Sequence, residues 1–138
     1  MNIVKAWLLF VGLSALTTAA SDYAAARWAA LSMIESGDCD RAVGRAGEVS
    51  RYQIKPSIWL AEAKEGGLPS DPVYARRVAE RILAKRMAVF VRSHGRPVMD
   101  KEFYVLWNAP SQAGRPSKIV MERAQRFDNL VKRLRHER

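Results

Sequence analysis

The C-terminal stretch carries the pattern that most constrains this chain. Val120, Ala124, Phe127, Val131 and Leu134 recur at intervals of four, three, four and three. That spacing lines one face of an α-helix with apolar side chains. Ser117 stands where an N-cap belongs. The same punctuation recurs upstream. Asp71-Pro72 opens a long helix that stops near Gly95, with Val78, Ile82, Leu83, Met87 and Phe90 on one side. Pro56 suits the first turn of a shorter helix ending at Gly66-Gly67. Asp100 is expected to cap a helix through Phe103, Tyr104 and Trp107, ended by Pro110. Asp22 is expected to cap one running through Ala24–Ala30 to Glu35, with Gly37 as its stop. Residues 38–53, rich in glycine and charge, read as an irregular segment or small hairpin. The expected fold class is mainly α, a helical domain with that one irregular region.

The chain is 138 residues long, which suits one domain. Apolar residues make up 49%, too many for a disordered tail. A chain of this size buries roughly 65% of its unfolded surface. Cys39 is the only cysteine, so no intrachain disulfide is possible, and it is expected to be buried as a small apolar residue. His94 and His136 stand far apart, so zinc-finger and HExxH patterns are excluded and no metal is expected. Neither GxxxxGK[ST] nor GxGxxG occurs, and no cofactor is expected.

Residues 1–20 have the layout of a secretory signal. Lys5 is the positive n-region, Trp7–Leu16 the apolar run, and Thr18, Ala19 and Ala20 the small residues before a cut. The apolar run is short of the roughly 20 residues that span a bilayer. The expected organisation is a signal at 1–20 and a single domain at 21–138, in a bacterial periplasm or outside the cell. No stable membrane anchor is expected after cleavage.

Charge is uneven. The formal net charge is +9, yet Glu35, Asp38, Asp40 and Glu48 gather in one stretch with only Arg41 and Arg45 for balance. Helical spacing sets Glu35 on the side of Leu31 and Trp28, facing the core. A carboxyl at a helix C-terminus, partly buried beside an aromatic, is held protonated by the dipole and by desolvation. Such a group in a cleft is a general acid.

The residues that follow resemble the lysozyme-like superfamily, specifically the lytic transglycosylase and goose-type lysozyme branch, as a divergent member. Glu35-Ser36 matches that family's acid motif at a helix end. Gly47, Gln53-Ile54 and Pro56 match its second motif at the usual gap, and Trp107-Asn108-Ala109-Pro110 its third. The resemblance implies a lysozyme-like domain that cleaves β-1,4 bonds of the peptidoglycan glycan strand, with Glu35 as general acid. In many transglycosylases of this kind a single acid suffices. The sugar's own 6-hydroxyl attacks and leaves a 1,6-anhydro product. Ser50-Arg51-Tyr52 stands where the family has Gly-Leu-Met. Trp107 replaces a tyrosine, so a phenolic hydroxyl near the acid is expected to be missing.

Glu48 is the second candidate catalytic carboxylate, placed to activate water in an inverting hydrolysis if the two carboxyls stand roughly 6.5–9.5 Å apart. A salt bridge to Arg45 or Arg51 is its alternative. Ser36, Gln53 and Asn108 offer polar contacts for sugar groups, and Tyr52 and Trp107 offer flat ring faces or core packing. The expected partner is the peptidoglycan glycan strand, bound by a monomer, with no nucleic acid. The competing function is a non-catalytic glycan-binding or cell-envelope assembly protein that keeps the fold.

Overall fold

The structure, a computed structural model, describes residues 3–137, with side chains described from Thr18 onward. Five α-helices are found among the described residues: α1 (Ile3–Ser36), α2 (Pro56–Glu62), α3 (Pro72–His94), α4 (Asp100–Asn108) and α5 (Lys118–His136). The expectation of a mainly helical chain holds. Residues 38–53 form successive turns joined by two isolated antiparallel bridges, Val43 with Val49 and Val49 with Ile54.

The starts of α3 and α5 follow their capping residues. Asp71 accepts hydrogen bonds from the Val73 and Tyr74 amides, and Ser117 from that of Val120. Gly95 ends α3 in the left-handed conformation. Three expectations are corrected. Helix α1 does not begin at Asp22, which lies exposed within it. The alanine-rich sequence from Leu13 to Ser36 holds no glycine or proline to break it. Helix α2 ends at Glu62, short of Gly66-Gly67. Its last carbonyl, that of Glu62, is taken by the Arg81 guanidinium. Asp100 is the first residue of α4 rather than its cap. Met99 takes the cap position, and its amide donates to the Glu102 carboxylate at 2.9 Å.

Asp100 is instead buried and tied to α1. It accepts from Arg27 Nε at 2.6 Å and from the Tyr23 hydroxyl at 2.5 Å. Arg27 also donates to the Val98 carbonyl at 2.8 Å. This cluster fixes the approach of α4 to α1.

Helix α4 is the centre of the molecule. Phe103 to Trp107 are five consecutive buried residues, so the helix is apolar on every side. It packs against α3 and α5, α1 packs on α5, and α2 on α3. Val120, Ala124, Phe127 and Val131 of α5 are buried, as the stripe requires. Phe127 stacks on Phe103 with centroids 5.5 Å apart. Trp28 sits edge-on to Tyr52, Phe103 and Trp107 at 5.5 to 6.3 Å.

Cys39 is exposed, not buried. It follows the end of α1 in a turn where its own amide bonds to Ser36 Oγ and no element covers the side chain. Most of the expected secretory segment, residues 1–17, lies outside the described side chains. Among the described residues no helix is long and apolar enough to cross a membrane.

Candidate active site

Helix α1 sets the site. Gly37, with φ of +65°, turns the chain sharply after Ser36 and donates its amide to the Met33 carbonyl at 3.0 Å. Glu35 therefore stands at the last turn, where Leu31 and Trp28 beneath it are buried. Its Oε1 is buried with no hydrogen-bond partner.

Burial is the largest influence on this carboxyl and pushes its pKa up to about 7. The Glu48 carboxylate acts in the same direction. The Tyr104 hydroxyl, the Arg123 guanidinium and the Asn108 amide act against it by favouring the charged form. Burial wins, and the group keeps its proton up to about pH 7, where ordinary carboxyls are already ionised.

Tyr104 and Asn108 lie four residues apart on α4, which puts them on one face, toward Glu35. Tyr104 is 1% exposed. Its own pKa is raised, first by burial and then by the Glu35 charge. It is thus a hydrogen-bond donor and not a proton source at ordinary pH. The expectation that a phenol is missing beside the acid is corrected. Trp107 carries no hydroxyl, but Tyr104, one turn of α4 back from Asn108, brings its hydroxyl to the acid. Sequence reasoning missed Tyr104, and its i, i+4 relation to Asn108 is the signal that could have found it.

The turns after α1 supply the opposite wall. The Gly44 amide donates to the Glu48 carbonyl at 2.8 Å, and the Glu48 carboxylate accepts from the Ala46 amide at 3.0 Å. Neither Arg45 nor Arg51 forms an ion pair with Glu48 among the described residues, and Arg51 binds Asp40 at 2.6 Å instead. Val49 and Ile54 exchange both amide bonds at 2.8 Å. Between them, Ser50 and Gln53 adopt φ of +68° and +52°. Left-handed backbone at non-glycine residues costs on the order of 1–3 kcal/mol each and persists where surrounding structure enforces it. Here it aims Gln53 into the cleft, its amide nitrogen braced on the Ser50 carbonyl at 3.0 Å. Gly44 lies under both side chains. A Cβ there would collide with Glu48 Oε2 and Gln53 Oε1.

A cleft runs past Glu35 on both sides. One compartment, of about 700 Å³, is lined by Glu48, Gln53, Lys55, Arg86 and Trp107 among others. The other, of about 460 Å³, is lined by Ile34, Tyr104 and Arg126. Glu35, Asn108 and Arg123 line both. Arg86 donates to the Leu106 and Trp107 carbonyls at 2.9 Å, a positive charge at the C-terminal end of α4. Arg86 and Arg123 carried no local motif that singled them out in the sequence.

The expected site residues are thus divided. Glu35, Glu48, Gln53, Trp107 and Asn108 meet at the cleft. Trp107 is 8% exposed and belongs to the aromatic core as well. Tyr52 does not line the cleft. It is 3% exposed and packs edge-on against Trp28 and Trp107. Ser36 is likewise outside it, donating to the Ser32 carbonyl at 3.2 Å and accepting from the Cys39 amide at 3.1 Å. No group of His, Cys, Asp and Glu fit to hold a metal ion occurs among the described residues.

No protein-family model matches the sequence, and neither curated proteins nor solved structures show a significant match to it.

Proposed function

We propose that the protein is a lysozyme-like glycosidase that cleaves β-1,4 bonds of the peptidoglycan glycan strand, with Glu35 as general acid. The observation that carries this reading is a carboxyl with pKa near 7 at the waist of a two-sided cleft. A polymer threaded through such a cleft presents one glycosidic oxygen to the acid, which donates its proton as the bond breaks. Gln53 and Asn108 supply amides for hydroxyl and N-acetyl groups, and Trp107 an apolar wall.

Glu48 already accepts its own turn's Ala46 amide. It reads as an electrostatic neighbour that helps keep Glu35 protonated. This favours the single-acid course, in which the sugar's 6-hydroxyl closes on the anomeric carbon and returns its proton to the Glu35 carboxylate left when the glycosidic bond breaks. The protein would act as a monomer in the periplasm or outside the cell, after loss of residues 1–20.

Digesting purified peptidoglycan and weighing the released muropeptides tests the reading. Products lighter by one water than hydrolytic ones identify a transglycosylase, and hydrolytic masses a muramidase. Intact glycan with wild-type protein, together with unchanged binding by Glu35→Gln, would replace this reading with that of a non-catalytic glycan binder.

A further inference from the structure

Arg123 and Arg126 lie three residues apart on α5 and line the smaller compartment beside Glu35. Both side chains are exposed, and neither forms an ion pair among the described residues. Elsewhere the basic residues of the helices are often matched. Arg27, Arg76, Arg81, Lys85 and Lys132 each hold a carboxylate. Two unmatched guanidiniums on one helical face, next to a reacting carboxyl, form a fork suited to a planar anion.

We propose that Arg123 and Arg126 form a carboxylate subsite that takes the acid group of an N-acetylmuramic acid residue next to the scissile bond. That acid is either the sugar's own lactyl carboxylate or one on its peptide stem. The inference rests on the glycan reading and adds what the cleft selects.

The placement of Arg123 supports it. On its own, this guanidinium works against the chemistry, because it favours ionised Glu35. A ligand carboxylate seated on it cancels that charge. Of the groups acting on Glu35, Tyr104 and Asn108 on α4 and Glu48 in the turns are left unchanged by that event. An acidic substrate thus strengthens the protonation that its own cleavage needs, and a neutral one does not.

The test uses the full chain carrying Glu35→Gln, so that nothing turns over. Calorimetry compares three soluble oligosaccharides of equal length: a neutral N-acetylglucosamine oligomer, a stem-free glycan with free lactyl carboxylates, and a stem-bearing glycan. The expected result is binding about tenfold tighter for an acidic oligomer than for the neutral one. Adding Arg123→Gln and Arg126→Gln together brings the ratio to within about twofold, and Arg126→Gln alone lowers it partway. Arg92→Gln, a charge removed outside the cleft, leaves it intact. Preference for the stem-free glycan assigns the subsite to the sugar's acid, and preference for the stem-bearing glycan alone assigns it to the peptide. Equal binding of neutral and acidic oligomers overturns the subsite and leaves the glycan reading in place. So does a preference that survives the double substitution or falls equally with Arg92→Gln. Binding of none of the three overturns both.

Discussion

The hydroxyl of Tyr104, buried in the middle of α4, faces the carboxyl of Glu35 at the end of α1 and favours its charged form. Burial opposes that influence and prevails. Tyr104→Phe removes the donor and keeps the ring. The carboxyl pKa should then rise above about 7. The basic limb of the kcat/KM profile on peptidoglycan should move to higher pH. A limb that stays in place or moves down would show that the hydroxyl does not act on this acid.

In the parent protein the same limb should fall near pH 7, since on the proposed reading the acid must be protonated to work. Above it, kcat/KM should drop about tenfold per pH unit. Glu35→Gln should lower kcat by roughly 10²–10⁴-fold below about pH 7 and abolish this limb. Assays of muropeptide release from pH 5 to 9 measure both effects.

Stability carries the same signature. The folded state holds the Glu35 proton more tightly than the unfolded chain, where the pKa is near the ordinary 4.5. The contribution of Glu35 to stability is therefore greatest below pH 4.5, declines as pH rises to about 7, and is level above. The decline is on the order of 3 kcal/mol. Glu35→Gln does not titrate. It should match the parent in urea titrations at pH 4 and exceed it by about that amount at pH 8. A constant difference across this range would mean that the folded chain leaves the carboxyl's pKa near its ordinary value.

Gly44→Ala places a methyl group where Glu48 Oε2 and Gln53 Oε1 lie. Both are ends of flexible side chains, so the fold tolerates the change by moving them away. Thermal melting should shift by no more than about 1 kcal/mol equivalent. Affinity for glycan should fall, because Gln53 loses its aim into the cleft. Unaltered glycan binding would show that neither side chain contacts the ligand.

Asp100→Ala strips the buried partner from Arg27 and Tyr23. Removing one member of a buried pair leaves an uncompensated charge and costs roughly 3–5 kcal/mol. Denaturant melting should report a loss of that order. A loss under about 1 kcal/mol would mean that water replaces the carboxylate at little cost.

The helices were legible where capping and periodicity agreed. Asp71-Pro72, Gly95 and the α5 stripe each have a local cause, and the folded chain keeps them. Asp22 and Asp100 misled because a capping residue type is also a good helix-surface or ion-pair residue, and only tertiary contacts choose between them. At the site, Glu35 was readable from its helix-end position above Leu31 and Trp28. Arg123 was not, because it reaches Glu35 only through the docking of α5 beside α1, a relation no short segment encodes. Tyr52 was read as open to either a cleft or a core role, and its neighbours Trp28 and Trp107 enclose it.

Residues 103–107 of α4 are all buried, and this ties the chemistry proposed at the cleft to folding. The backbone that orients Tyr104 and Asn108 is held between α3 and α5. A volume change at Phe103, packed against Trp28 and Phe127, is passed to the helix and tilts the donors. Substitutions deep in the hydrophobic interior should then register as altered acid strength at the cleft well before they register as unfolding, so drift in one cannot proceed without drift in the other.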